Sequence, residues 1–212
     1  MSGVEVKWHV VRHQVAIAGW VTDGETQKPI AGAVVTIESM TAKFKSTLEL
    51  KSMQHGDRWK TMTERPDRTT TAPDGHFRFL DLPDGKYALG ASLPRAGKRY
   101  GPGQGEATVS RDHTGRLRMA AVNIMLQPTT VKGKVTATGQ KTGVVMAEVR
   151  VKGSGERTFS DVKGEYVLAG IEPGKRIVQV FAQGYKPAAE QAHLKTPGTS
   201  QTLNFALARA TA

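Results

Sequence analysis

The chain of 212 residues contains no cysteine, which excludes disulfides, thiol nucleophiles and cysteine-type zinc sites while leaving the redox compartment open. Aromatic residues make up only 6%, too few for the stacking platforms that nucleic-acid binders set within a concentrated basic stripe. No apolar stretch approaches membrane-spanning length, so no membrane span is expected. The amino-terminal MSGVEVKWHV has neither an uninterrupted apolar run nor a small-residue cleavage site, and does not read as a secretory signal. The expectation is a protein cytoplasmic at synthesis, with a place in a secreted or cell-envelope-associated assembly left open. The net charge is +11, yet it is spread as +5 over residues 1–128 and +6 over the remainder, with no polybasic run. Such a surface suits an anionic partner, and a nucleic-acid partner is not expected.

What the chain does have is a repeat. IAGWVTDGETQKPIAGAVVTI, TAPDGHFRFLDLPDGKYAL and VNIMLQ are answered by VKGKVTATGQKTGVVMAEVRV, SDVKGEYVLAGIEPGKRIV and LNFALA. Gly19 to Ala33 and Gly133 to Ala147 both span 14 residues, and Gly75 to Gly85 and Gly164 to Gly174 both span 10. Two copies of one domain, 1–128 and 129–212, account for most of the chain. Within each copy apolar residues alternate with polar ones, as at Val131, Gly133 and Val135 around Lys132 and Lys134, the period of a strand with one buried face. Val35 and Ile37, Phe77 and Phe79, Tyr87 and Leu89, and Val122, Ile124 and Leu126 match Val149 and Val151, Tyr166 and Leu168, Val178 and Val180, and Leu203, Phe205 and Leu207. No segment shows a sustained helical period with caps. The fold class expected is all-β, as two tandem β-sandwiches.

The residues resemble a known family, the carboxypeptidase regulatory-like domains with their transthyretin-like or prealbumin-like sandwich. The resemblance rests on Gly19 and Val21, on Thr26, Pro29, Ile30, Gly32 and Ala33, on Asp74, Gly75 and Phe77, on Leu82, Pro83, Gly85 and Tyr87, and on Val122-Asn123-Ile124. The second copy is degenerate, with Met146 for Gly32, Lys163 for Asp74, Glu172 for Pro83 and Arg176 for Tyr87. The resemblance implies an accessory, structural or binding module rather than one particular activity.

The copies differ in two places. From Ala33 to Gly75 is 42 residues, against 17 from Ala147 to Gly164, so the first copy carries an insert of 25 residues within about 38–70. Alternating stretches on either side of His55-Gly56-Asp57 predict a long β-hairpin there. Its Phe44, Leu48, Leu50, Trp59 and Met62 must cover the sandwich or meet a partner. From Gly85 to Asn123 is 38 residues, against 30 from Gly174 to Asn204, and the excess falls in a glycine-rich basic stretch with Lys98, Arg99 and Tyr100. No helix follows its glycines, which removes a phosphate-binding reading.

Catalytic and metal constellations are missing. The Tyr-Arg-Gly-Ser ending of transthyretin-like hydrolases is replaced by NFALARATA, and none of His9, His13, His55, His76, His113 or His193 opens a His-x-x-Glu zinc motif. A His9–His13 pair lacks a third ligand, and Asp74, Asp81 and Asp84 read as turn formers. A lysine–asparagine crosslink through Lys132 or Lys134 and Asn204 fails because alternation points all three outward. No catalytic residue, metal or cofactor is assigned. The expected function is that of a non-catalytic structural or adaptor protein whose partners are other protein subunits of a larger assembly, of the secretion or phage-tail-like injection type, or copies of itself. The candidate contact residues are Trp8, Phe44, Leu48, Arg58, Trp59, Lys60, Arg99 and Tyr100. Residues 1–14, with Val4, Val6, Trp8, Val10 and Val11, read as a docking arm or an extension of the first strand, and Trp8 and Trp20 are expected in or beside the core. The alternative is a carbohydrate or cell-wall binding module stacking sugars on Trp59, Tyr100 and Tyr185.

Overall fold

The computed structural model describes residues 13–210. Its first half contains β1 (Val15–Asp23), β2 (Val34–Ser39), α1 (Ala42–His55), α2 (Arg58–Thr61), β3 (Arg68–Thr70), β4 (His76–Leu80), β5 (Gly85–Ser92), β6 (Gly103–Arg111), β7 (Leu117–Arg118), β8 (Ala120–Ala121) and β9 (Ile124–Leu126). The second half contains β10 (Thr130–Ala137), β11 (Glu148–Val151), β12 (Arg157–Phe159), β13 (Glu165–Ala169), β14 (Gly174–Phe181), β15 (Ala188–Leu194), β16 (Ser200–Thr202) and β17 (Phe205–Leu207). In the first half, a sheet ordered β4-β1-β8, with β9 also on β1, faces a sheet ordered β3-β2-β5-β6-β7. The second half repeats this as β13-β10-β16, with β17 on β10, against β12-β11-β14-β15. The chain is all-β, as two sandwiches. The expected hairpin is absent: the insert between β2 and β3 is the helix pair α1 and α2, and these and β7 have no counterpart in the second sandwich.

Alternation in the sequence becomes the two cores. One core holds Ile17, Val21, Val35, Ile37, Phe77, Phe79, Tyr87, Leu89, Ile124 and Leu126. The other holds Val131, Val135, Val149, Val151, Tyr166, Leu168, Val178, Val180, Phe205 and Leu207. Trp20 departs from expectation. It falls on the outward phase of β1, is 47% exposed, and meets His76 edge-on at a centroid distance of 5.3 Å.

The last segment of each copy is interrupted where it runs parallel to the first strand. β1 pairs with β8 through Ile17 and Ala18 and then with β9 through Val21 to Asp23. At the gap, a Cβ on Gly19 would land on the carbonyl oxygen of Val122, as one on Gly133 would land on that of Leu203. A glycine is therefore required by the close approach of backbone. The ladder bond lost at the bulge is replaced by a side chain. The Trp20 N–H donates to Asn123 Oδ1 at 3.2 Å and the Lys134 N–H to Asn204 Oδ1 at 2.9 Å. Asn204 thus serves its own backbone ladder, while Lys132 stays exposed.

The two sandwiches meet at a junction whose polar groups are paired. Thr129, wholly buried, donates its N–H to Arg99 O at 2.8 Å and accepts at its carbonyl from Ile171 N at 3.1 Å. Its hydroxyl oxygen accepts from Gly198 N at 2.8 Å. Gly101 N donates to Gln127 O and Thr130 N to Thr199 O, both at 2.9 Å.

Candidate interaction surface

Of the insert, α1 carries the best helix signals. Thr41 caps its start, accepting from Phe44 N at 3.4 Å, and its body is rich in Ala, Lys, Leu, Glu, Met and Gln, all strong helix formers. Gly56 ends it with φ at 56° and its N–H on Ser52 O, the glycine stop of a helix. These were the readable signals. The i, i+2 spacing of Leu48 and Leu50 imitates a strand, and the helix buries too narrow a stripe to show a 3.6-residue apolar period.

That stripe is Phe44, Leu48 and Ser52, one residue per turn. Phe44 is 4% exposed, joins the first core, and sets its ring edge-on to Tyr87 at 6.1 Å. Leu48 packs partly against the same core. The insert thus covers its own sandwich through two of the five apolar residues weighed in the sequence. Leu50 and Met53, 68% and 78% exposed, lie three apart on the side of α1 turned to solvent. Trp59 on α2 is half-buried. Arg65 Cζ sits 4.9 Å from its ring centroid and His55 stacks on it at 5.9 Å, so its ring is occupied from within the chain. Arg58 and Lys60 are exposed, Lys60 lying 3.9 Å from Asp57.

α1 divides the surface into two grooves. One, of about 440 Å³, runs past Glu38, Met40, Lys45, Leu48, Glu49 and Trp59. The other, of about 470 Å³, lies between α1, the Glu64–Thr69 segment and β4, the edge strand of its sheet among the described residues.

Arg99 and Tyr100 make contacts within their own chain. Arg99 Nη2 lies 2.7 Å from Glu156 Oε1 and its Nε 3.5 Å from Glu172 Oε1, both on the second sandwich. The Tyr100 hydroxyl donates to Asp23 Oδ2 at 2.7 Å. Burial and the Asp23 charge push the Tyr100 pKa up to about 12. Burial works against the Asp23 charge, but the Thr26 N–H, the Tyr100 hydroxyl and the Glu25 N–H outweigh it and hold its pKa below the ordinary aspartate value. Tyr185, the third residue proposed for sugars, packs against the second core. Trp8 and His9 lie outside the described residues. His13 pairs with Asp81. No cluster of three His, Cys, Asp or Glu side chains able to hold a metal occurs among the described residues, and no helix among them is long and apolar enough to cross a membrane.

Residues 130–208 match the family model of the carboxypeptidase regulatory-like domain, on the copy whose motif residues are the more degenerate. No curated protein matches the chain. Among solved structures, the shaft pilin SpaA of Lactobacillus rhamnosus GG is similar at 14% identity and a TM-score of 0.40, over 95% of this chain and 98% of the pilin. The minor pilin GBS52 of Streptococcus agalactiae is similar at 11% identity and a TM-score of 0.32, over 92% and 96%. The Bacillus anthracis TIE protein is similar at 14% identity and a TM-score of 0.35 over 92% of this chain, which spans 34% of that protein's length.

Proposed function

With a carboxypeptidase regulatory-like domain at residues 130–208 and a second sandwich of the same strand order before it, we propose that the protein is a non-catalytic adaptor. Its two units, 1–128 and 129–212, act as one rigid body that docks onto other subunits of a larger assembly. The observation that carries this reading is α1, anchored to the first core by Phe44 while holding Leu50 and Met53 in solvent. Exposing two large apolar side chains on one helix face gains nothing for the free chain and suits a contact surface. The junction supports it, since a spacer transmits position only if its units do not swivel. The sugar-binding alternative loses its best platform to the Arg65 and His55 contacts on Trp59.

The test is native-mass fractionation from the protein's own cells, comparing the unaltered chain with Leu50→Lys/Met53→Lys. Both positions are exposed, so the fold should tolerate the change. Migration well above the 22.9 kDa of the chain, with other proteins in fixed ratio and loss of that particle in the variant, is the expected result. A lone monomer in both would refute the reading.

A further inference from the structure

We propose that the groove between α1 and the edge of β4 binds an acidic segment of a partner protein that also carries an apolar side chain. This rests on the docking reading above and adds the chemistry of the partner. The floor is apolar, made by Phe44, Phe79, Leu80, Pro66 and Pro83. The walls carry Lys51 from α1, Arg65 and Arg68 from the segment leading into β3, and Arg78 from β4. The carboxylates facing them are Glu64 and Asp81.

Most of the negative charge is already answered. Asp81 pairs with His13 and accepts from Gln14 N at 2.8 Å. Burial works against its charge, but those two contacts and the nearby Arg111 outweigh it, and its pKa is held low. Arg65 pairs with Asp67 at 2.9 Å. Among the described residues, Lys51, Arg68 and Arg78 meet no carboxylate within salt-bridge distance, and Glu64 alone is left against the three. Nε of Arg65 and Nε of Arg68 are donors shielded from solvent without a hydrogen-bond partner, an arrangement that costs free energy unless an acceptor on a bound group supplies it.

The volume, about 470 Å³, is that of a site for a few side chains. Phe44 and Phe79 are buried and offer no exposed face on which a base or sugar ring could stack, so charge complementarity and an apolar floor together select a peptide. The groove on the other side of α1 sets Glu38 and Glu49 against Lys45 and lacks this charge.

The probe is a fluorescein-labelled pentapeptide alternating glutamate with leucine, titrated into the full chain by fluorescence anisotropy, beside a matched peptide alternating lysine with leucine. The acidic peptide should bind, more weakly at high salt, and the lysine peptide should not. Lys51→Glu/Arg78→Glu, both exposed positions, should weaken binding by about tenfold or more. Lys132→Glu/Lys163→Glu, the same charge change on the second sandwich, should leave it unaltered. No binding, equal binding of both peptides, or equal loss in both variants would overturn the proposal. So would binding seen only after residues 1–12 are removed, since the groove of the intact chain would then belong to the chain itself. If the peptide fails while the chain still fractionates with its partners, the docking reading survives and the groove assignment falls.

Discussion

Replacing Arg99 by alanine should weaken the coupling between the two sandwiches by about 1–2 kcal/mol without unfolding either. The Arg99 guanidinium lies 2.7 Å from Glu156 and 3.5 Å from Glu172. A charge-assisted hydrogen bond contributes about 1.5–3 kcal/mol when shielded. Here the Glu156 side chain is 12% exposed but that of Arg99 is 42% exposed, so solvent screening takes part of it away. The backbone bonds of Thr129, to Arg99 on one side and Ile171 on the other, remain and keep the units in register. An assay is built into the sequence: Trp8, Trp20 and Trp59 all lie in the first copy, so tryptophan fluorescence follows that sandwich while far-ultraviolet circular dichroism follows both. In urea the unaltered chain should give coincident transitions. In Arg99→Ala the two signals should separate by roughly 0.5–1 M, the coupling energy divided by a slope of about 2 kcal/mol per molar. Arg99→Lys should fall between, because an ammonium cannot fork to two carboxylates. The Ser154 hydroxyl, with Arg99 and Arg176 nearby, holds the Glu156 pKa below the ordinary glutamate value against its burial. A depressed carboxylate contributes stability above its unfolded pKa and loses it as pH falls through its folded pKa. The difference between variant and parent should therefore shrink in acid. Coincident transitions with unchanged midpoints in Arg99→Ala would refute the reasoning.

Gly133→Ala should destabilise the second sandwich by about 3 kcal/mol or more, beyond ordinary overpacking, because the new Cβ meets the Leu203 carbonyl rather than a movable side chain; a chemical-denaturation midpoint equal to the parent's would contradict it. Met146 sits at φ 57°, where the first copy has Gly32 at 72°, and both turns tie their next N–H to a side-chain hydroxyl, of Ser160 and Thr71 respectively, at 2.9 Å. Met146→Gly should then stabilise by about 0.5–1 kcal/mol, the left-handed penalty less the entropy of glycine, read as a raised melting temperature. Asp23 has a depressed pKa and contributes stability above its unfolded value that is lost as pH falls through its folded value; Asp23→Asn should flatten that part of the acid-unfolding curve, and an unchanged curve would count against the Thr26, Tyr100 and Glu25 contacts as a source of stability.

The strands were legible because burial on one face writes a period of two into the sequence, and the turns because Asp74-Gly75 and its kin need positive φ. The helix insert was misread. Phe44 and Leu48 are the only large apolar side chains α1 turns into the core, so the helix rests on its Thr41 cap, its Gly56 stop and propensity rather than on amphipathic patterning, while Leu48 and Leu50 mimic alternation. Trp20 was misplaced because a tryptophan on the outward phase of a strand breaks the rule that size means burial. The contacts that Arg99 and Tyr100 make within the chain were not legible in the sequence. Both of their partners, Asp23 and the Glu156–Glu172 pair, lie more than 50 residues away along the chain.

The sequence by itself determined the duplication, the strand phases and both cores, because each follows from local chemistry repeated at fixed spacing, whereas the need for glycine at Gly19 and Gly133 comes from carbonyls brought in by distant strands. Only the tertiary structure decided which charges are free. Whether a cation such as Arg99 or Arg78 is paired or open depends on what distant strands bring within a few ångströms of it, and the Coulomb energy that makes a contact site is set by that distance and not by position along the chain.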